Sequence, residues 1–247
     1  KMSEFKFPTE EIDLPSKGLL YPKDNPLASG KVEMKYMTAK EEDILTNPNY
    51  IAKGTVIDKL LQSLIISKVD YNDLIQGDQN AIMIAARILG YGKDYEIKHD
   101  GITQVVDLTT LEDKEFDESL ITPNINEFSF TLPHSKVDLT FKILTVGDTN
   151  KIKRELDGLK KINKNDNPEM STRLKHMITS VGGDRDAKTI RSFVDTALLA
   201  RDARALREYV SRVQPDINLT VTVETSSGEE DATLPITANF FWPDAGV

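Results

Sequence analysis

Two stretches of this 247-residue chain repeat the same order of short motifs. The first opens on Leu14-Pro15-Ser16-Lys17, and the second opens on Leu132-Pro133-His134-Ser135-Lys136. Each opening leads into an alternating apolar and polar segment that ends on an apolar residue and a threonine, Met37-Thr38 or Leu144-Thr145. Alternation with a period of two predicts a strand. An internal duplication of this kind favours a pseudo-symmetric scaffold over a single asymmetric active site.

Both stretches continue through helical segments to an Asp-x-x-Ala turn and then to a short polar hairpin. Asp78 lies 17 residues before Tyr95, where the first hairpin begins, and Asp202 lies 17 residues before Leu219, where the second begins. The alternative to a duplication is chance matching of short apolar patterns, because pairwise identity between the stretches is low.

We therefore predict an α+β fold of two pseudo-repeated lobes, each a small helical bundle with a strand and a β-hairpin. Residues 1–30 are rich in proline and predict an extended N-terminal arm. We expect residues 31–123 to form the first lobe and residues 124–247 to form the second lobe, which includes an aromatic C-terminal segment. A chain of this length can bury a core without disulfides or metals.

Apolar residues at helical spacing, N-terminal capping residues and glycine stops place the predicted elements. Helices are expected over residues 38–45, 55–66, 77–89, 145–159 and 172–181, with one longer or broken helix over 186–213. Strands are expected at Lys31–Thr38 and Val137–Thr145, and hairpins near Tyr95–Val106 and Leu219–Leu234.

The charge balance limits the classes of partner. Forty acidic and 31 basic side chains give a net charge of −9 and an isoelectric point near 5.0, which argues against nucleic acid or an anionic membrane as the main partner. The sequence contains no run of about 20 apolar residues, so no membrane span is predicted. Residues 1–6 lack the apolar stretch of a signal peptide, so no secretion signal is expected.

No residue pattern predicts a catalytic, cofactor or metal site. The chain has no cysteine, so disulfides and thiolate chemistry are excluded and a reducing compartment is expected. None of the three histidines, His99, His134 and His176, belongs to a His-Glu-x-x-His motif or has a second histidine four residues on, which favours surface or structural roles. Phosphate-binding glycine motifs and a Gly-x-Ser-x-Gly turn are also missing from the sequence.

Paired acidic residues leave an enzyme as the alternative function. A hydrolase of the glycosidase type needs two carboxylates held about 5–10 Å apart in a cleft. In an acidic chain such pairs are mostly solvated, which favours the non-enzymatic interpretation. The pairs are Glu10-Glu11, Glu41-Glu42, Glu112-Asp113 and Glu229-Glu230.

Asp78 and Asp202 occupy matching positions in the two stretches, which is compatible with a repeated functional site. We favour helix N-capping or a favourable interaction with the helix dipole.

A basic cluster in the second half also has two interpretations. Either it docks an acidic partner, or it lies on a surface helix and forms salt bridges with acidic residues of that helix. Spacings of three and four residues from Glu155 and Asp157 favour the salt-bridged helix. The cluster comprises Lys151, Lys153, Arg154, Lys160, Lys161 and Lys164.

Both ends of the chain carry apolar side chains that need a surface to lie on. The N-terminal arm docks either on its own lobe, which we favour, or on a partner, in which case it serves assembly more than folding. The aromatic segment near the C-terminus predicts a plug of the second lobe or an anchor for a partner, with Trp242 packed and hydrogen-bonded. The candidate partner-binding residues are Leu14, Leu19, Leu20, Tyr21, Phe240, Phe241 and Trp242.

An ordered set of motifs resembles the baseplate hub subunit family of T-even-type contractile-tailed bacteriophages. The set begins with Leu14–Pro22, continues through Met37-Thr38, Glu41–Leu45, Gly77-Asp78 and Tyr91-Gly92, and ends with Phe240–Pro243. The resemblance covers nearly the whole chain and rests on the order of the motifs rather than on any one of them.

The resemblance implies a non-enzymatic protein that assembles with other baseplate or hub proteins in the host cytoplasm and then stays in the tail baseplate or leaves as a chaperone. Self-association is compatible with this role, and a helical adaptor of host origin is a further alternative. Relatives of this type often carry Cys-x-x-Cys hairpins that suggest zinc ribbons, but Lys98–Gly101 and Thr225–Gly228 have no thiolates here. We therefore expect no structural metal and hairpins held by packing alone.

Overall fold

The computed structural model describes residues 8–241, apart from the side chain of Ala238. Its helices are α1 (Ala39–Leu45), α2 (Pro48–Lys53), α3 (Val56–Leu64), α4 (Gln76–Tyr91), α5 (Val146–Ile162), α6 (Glu169–Met177), α7 (Ala187–Thr196) and α8 (Ala200–Val213). Its strands are β1 (Thr9–Asp13), β2 (Lys31–Lys35), β3 (Asp94–His99), β4 (Ile102–Asp107), β5 (Phe128–Thr131), β6 (Asp138–Phe141), β7 (Ile178–Val181), β8 (Thr220–Thr225) and β9 (Gly228–Thr233). The predicted α+β class is confirmed.

Small antiparallel sheets lie among these helices. β1 pairs with β2, β3 with β4, and β8 with β9, while β6 lies between β5 and β7. Most strands therefore pair with a strand near them in sequence, whereas α5 and α6 separate β6 from β7. Within residues 8–241, no helix is both long enough and apolar enough to cross a membrane.

The two halves match in the order of their main elements. Each has an antiparallel strand pair, a series of helices ending in α4 or α8, and a terminal hairpin. In the first half Met34 forms a β-bridge with Ile65, just after α3, and in the second half Phe141 pairs with Ile178, just after α6. The internal duplication stays a prediction, and a matching order of elements in the two halves is what such a duplication would require.

A buried carboxylate joins the Leu-Pro opening of the first half to α4. The backbone amide and hydroxyl of Ser16 donate to the Asp78 carboxylate at 3.0 and 2.6 Å, and the Tyr21 hydroxyl donates to it at 2.6 Å. The Tyr21 oxygen in turn accepts a hydrogen bond from the amide of Ile75, which precedes α4. Asp78 is fully buried, so these donors replace the water that the carboxylate loses on folding.

The second half has a matching joint with fewer donors. Asp202 in the first turn of α8 accepts hydrogen bonds from the amides of His134 and Ser135 at 2.8 and 3.0 Å. The lysine that closes each opening loop has a positive φ, 55° at Lys17 and 58° at Lys136. Both carboxylates lie in the first turn of their helices, as the favoured interaction with the helix dipole requires, but they bind a distant loop, so N-capping was wrong.

A second pair of joints lies where a strand passes into a helix. Thr38 and Glu41 form the predicted capping box of α1, and Lys35 pairs with the buried Glu41 carboxylate at 2.6 Å. The second half repeats this spacing: Thr145 and Asp148 form a capping box at the start of α5, and Lys142 pairs with Asp148 at 2.8 Å. Each lysine anchors the end of its strand to the first turn of the next helix.

Residues 8–21 are part of the first lobe, as favoured for the arm, so the prediction that they serve assembly more than folding is corrected. Thr9–Asp13 pair with β2 along their full length. Leu14, Leu20 and Tyr21 follow at 2–3% exposure and belong to the hydrophobic core. Proline excluded this segment from a helix as expected, but it did not prevent pairing at a sheet edge.

Some helix boundaries differ from the prediction for local reasons. Asn47 caps a helix at Pro48, so α2 occupies a segment that was predicted to be a break. The predicted helix over 172–181 ends at Met177, and the β-branched residues that follow form β7 beside β6. Of the two forms predicted for residues 186–213, the structure has the broken one, with Ala197 ending α7 before α8 begins at Ala200.

We predict that Asp78→Ala lowers the free energy of unfolding by about 3 kcal/mol, because it leaves three buried donors of Ser16 and Tyr21 without an acceptor. Asp202→Ala should cost less, since it frees only two backbone amides. Urea unfolding followed by circular dichroism measures both changes. Asp43→Ala, at an exposed site in α1, is the control, and an equal loss there would contradict the prediction.

The stability that two buried acids contribute to the fold should change with pH in opposite directions. For Glu41, burial raises the pKa, but bonds from Lys35, Thr38 and Ser63 outweigh it and lower the pKa from 4.5 to about 2. For Asp78, burial outweighs the bonds from Ser16 and Tyr21 and raises the pKa from 3.8 to about 6. Glu41 therefore contributes stability above pH 4.5 that is lost as pH falls towards about 2. The contribution of Asp78 is present below pH 3.8 and is lost as pH rises through about 6.

We predict that Glu41→Gln removes on the order of 2–3 kcal/mol of acid-dependent stability, so its unfolding free energy changes less than that of the wild type between pH 4.5 and 3. Asp78→Asn should instead flatten the profile between pH 4 and 6. Urea titrations at four pH values between 3 and 7 measure these slopes. Wild-type slopes in both variants would rule out the assignment.

Candidate functional site: a cleft at the junction of the lobes

Backbone hydrogen bonds join the two lobes directly. Ile75, at the start of α4, forms an antiparallel β-bridge with Thr145, at the start of α5. The amide of Val146 donates to the carbonyl of Leu74 at 2.7 Å, and the amide of Gln76 donates to the carbonyl of Leu144 at 3.3 Å. The starts of two helices, one from each lobe, therefore meet as short strands.

A second backbone joint involves the segment between the lobes. The amide of Lys114 donates to the carbonyl of Asp216, and the amide of Asn218 donates to the carbonyl of Glu112, both at 2.8 Å. Gly77 lies beneath this joint, where a Cβ atom would overlap the carbonyl oxygen of Pro215 and lie 2.7 Å from the Cα of Asp216. Only glycine allows α4 to approach this closely.

The hairpins β3–β4 and β8–β9 also contact each other. The amide of Glu224 donates to the Gln104 side chain at 2.8 Å, and the Gln104 side chain donates back to the carbonyl of Glu224 at 3.1 Å. Asp100 accepts from the amide and hydroxyl of Ser226 at 2.8 and 2.7 Å, and His99 bonds Glu230 at 2.5 Å. The expectation that packing alone holds the hairpins was therefore wrong.

A cleft of about 670 Å³ opens beside this junction, between the α2–α3 region of the first lobe and α5 of the second. Four cationic and four acidic side chains line it. The cations are Lys53, Lys151, Lys153 and Arg154, and the acids are Asp58, Asp73, Asp148 and Asp157.

The acids of the cleft are mostly engaged within the protein. Asp58 accepts from the Tyr71 hydroxyl at 2.8 Å, and Asp73 accepts from the side chain of Asn25 at 3.0 Å. Asp148 pairs with Lys142; burial opposes its ionisation, but this bond and those from Thr145 hold its pKa below the usual value. These carboxylates position the walls of the cleft.

The cations of the cleft are available to a partner. Within residues 8–241, Lys53, Lys151, Lys153 and Arg154 form no ion pair. All four are exposed. The cleft can therefore accept the carboxylates of an acidic segment without first breaking an internal salt bridge.

This arrangement corrects the favoured interpretation of the basic cluster. Glu155 binds Arg191 at 2.6 Å and His176 at 3.0 Å, and not the lysines of α5. Asp157 forms no ion pair in the described part of the chain. The helical spacing was compatible with salt bridges, but α6 and α7 supply closer partners for Glu155.

The structure places most of the candidate partner-binding residues in the interior. Leu14, Leu20 and Tyr21 are buried, as are Phe240 and Phe241, so these five present no surface to a partner and that prediction is corrected. Leu19 is half-buried, and Trp242 lies outside the described residues.

The aromatic segment plugs a different lobe from the one predicted. The Phe240 ring lies 4.8 Å from the ring of Tyr95 in the first-lobe hairpin, and Phe241 packs edge-on against Phe240 at 5.4 Å. Arg87 in turn stacks on Tyr95, with 5.5 Å between its guanidinium carbon and the ring. This stack holds the end of the second lobe against the first.

The acidic and histidine candidates do not converge on one site. Asp78 has a raised pKa, as a general acid requires, but it is sealed beneath Ser16 and Tyr21 and does not reach the cleft. No group of three or more His, Asp or Glu residues within 8–241 is arranged to hold a metal ion. The paired-carboxylate hydrolase thus gains no support from this geometry.

Sequence reasoning missed Lys53 and Gly77 as parts of the junction. The exposed Lys53 faces the cleft only because Gly54 ends α2 in a left-handed turn, at φ 67°. Gly77 gave a usable signal, since it directly precedes the repeated aspartate where the second half has Arg201. A glycine in the first turn of a helix indicates a close backbone approach.

We predict that Gly77→Ala destabilises the protein by several kcal/mol, because the new methyl group would overlap the backbone at Pro215. Gly158→Ala is the matched control, since a Cβ atom there meets nothing within 4 Å and alanine favours the helix by roughly 0.5–1 kcal/mol. Thermal and urea unfolding measure both variants. Two changes of the same sign and size would contradict the close contact.

No family model, curated protein or solved structure matches this chain. The motifs of the sequence and the geometry of the junction and its cleft are therefore the observations from which a function can be argued.

Proposed function

We propose that this chain is a non-enzymatic assembly protein of the tail baseplate hub of a T-even-type contractile bacteriophage. It acts through protein–protein interaction in the host cytoplasm, with other baseplate or hub proteins as partners. The observation that carries this proposal is the cleft at the lobe junction, where Lys53, Lys151, Lys153 and Arg154 are exposed and form no ion pair with any residue between 8 and 241.

The motifs of the resemblance support a scaffold role because they build the framework around this cleft. Ser16 and Tyr21 of the opening motif hold Asp78 of the Gly77-Asp78 motif. Gly77 allows the lobes to meet, and Phe240 closes the hairpin of the first lobe. Residues of this kind determine the shape of a protein rather than a reaction.

Charge complementarity explains how the cleft would bind. The exposed cations Lys151, Lys153 and Arg154 of α5 offer direct contacts to the carboxylates of an acidic segment. Each exposed contact contributes little by itself, about 0–1 kcal/mol, so affinity requires several contacts together and falls with added salt. Such reversible contacts suit an assembly protein, which binds its partners and later releases or rearranges them.

The proposal predicts that hub binding depends on the cleft face of α5. Lys151→Glu/Lys153→Glu should reduce copurification with co-expressed baseplate hub proteins at least about tenfold, because like charges then face the acidic partner. Lys160→Glu/Lys161→Glu, an equal charge change on the same helix outside the cleft, should bind as the wild type does. Quantitative pull-downs at two salt concentrations measure both variants.

Equal loss in the two double variants would indicate a general charge effect and count against the cleft. Failure of the wild-type chain to bind any hub protein would overturn the proposed function itself.

A further inference from the structure

A second groove lies on the other side of the second lobe, between α6 and α8. Its floor is apolar and consists of the buried side chains of Leu174, Met177 and Val210. Met170 forms one wall and is 59% exposed. A large flexible apolar side chain left in water beside an apolar floor is suited to adapt to a partner.

The dimensions of the groove indicate what fits it. Its volume is about 180 Å³, below the roughly 300–1,000 Å³ of pockets that bind small molecules. A space of this size accepts one large apolar side chain projecting from another protein chain.

The rim of the groove is positively charged. Arg173 lies on the α6 side and Arg207 on the α8 side, and neither forms an ion pair in the described part of the chain. The Arg207 guanidinium contacts the sulfur of Met170, so it lies across the groove entrance. Residues 146–213 hold 15 Lys and Arg against 10 Asp and Glu, in a chain whose net charge is −9.

The end of α8 already holds an acidic, aromatic segment of the same chain. The amide of Asp117 donates to the carbonyl of Arg212 at 3.1 Å, and its carboxylate lies 3.7 Å from the Arg212 guanidinium. Lys114 donates to Ser211, which also borders the groove. The Asp117 carboxylate beside Arg212 shows that the cationic surface of α8 accepts an acidic residue. Phe116 lies between two acids in the sequence, and its ring centroid lies 6.0 Å from the Lys17 amine.

We propose that the groove between α6 and α8 docks a short acidic segment of a partner protein that carries one large apolar side chain. The apolar side chain lies on Leu174, Met177 and Val210, and Met170 closes over it. Carboxylates on either side of that residue pair with Arg173 and Arg207. This site is separate from the cleft at the lobe junction and takes a second contact from the same or another partner.

A peptide tests the proposal on the intact chain. The probe is a fluorescein-labelled nonapeptide with the sequence of residues 112–120, Glu-Asp-Lys-Glu-Phe-Asp-Glu-Ser-Leu, measured by fluorescence anisotropy. We expect saturable binding that weakens at least tenfold in Arg173→Glu/Arg207→Glu. The same loss is expected for a peptide with Ala in place of Phe and for one with Gln and Asn in place of its acids.

Lys164→Glu/Lys188→Glu is the matched control, since it makes the same charge change at exposed sites outside the groove and should bind as the wild type does. Circular dichroism melts of both double variants must remain within a few degrees of the wild type. No saturable binding, equal affinities in the two double variants, or a loss confined to Arg212→Glu would overturn the proposal. The last result would place the peptide where the chain's own segment lies. Because the assay contains no hub protein, its outcome is independent of the proposed function.

Discussion

The carboxylate of Asp78 organises the first lobe, because three hydrogen bonds converge on it from a loop 57–62 residues earlier in the chain. They fix the opening segment against the first turn of α4, and Tyr21 carries the connection on to the amide of Ile75. Ile75 is also the residue that bridges to Thr145 in the other lobe. The buried network within one lobe thus sets the position of the edge by which the lobes are joined. A buried carboxylate with incomplete partners would cost several kcal/mol, so the loop has little freedom to settle elsewhere.

Asp202 is as fully buried as Asp78, but it holds its own loop through fewer donors. It has two amide donors, and the neighbouring His134 is exposed. Burial opposes its ionisation, but the amides of His134 and Ser135 outweigh burial and lower its pKa, whereas the pKa of Asp78 is raised. The same position in two similar frameworks therefore has opposite responses to acid. The pKa of Asp78 is raised because burial outweighs the hydrogen bonds from Ser16 and Tyr21, which lower it.

The sequence allowed much of the fold to be predicted because the relevant signals are local. The capping box at Thr38 and Glu41, the helix of α4 and both hairpins follow from spacing and turn residues near one another in the chain. What could not be predicted depends on contacts between distant residues. β7 forms because β6 lies beside it. Glu155 pairs with Arg191 and His176, which come from other helices, so the cations of α5 form no ion pair with it in the part of the chain that the structure describes. The burial of the aromatic segment against Tyr95 likewise depends on how the two lobes meet.

The glycine at position 77 has a consequence for how the two halves can resemble each other. It stands where the second half has Arg201, and no side chain fits between α4 and the backbone at Pro215. A chain that carried arginine at position 77, as the second half does at position 201, could not close its junction, because the side chain would overlap the backbone at Pro215. Geometry thus limits position 77 to glycine, whatever residue stands at position 201. The halves can resemble each other in the hydrogen-bonded loops of each lobe, but at this contact the first half accepts only a residue without a side chain.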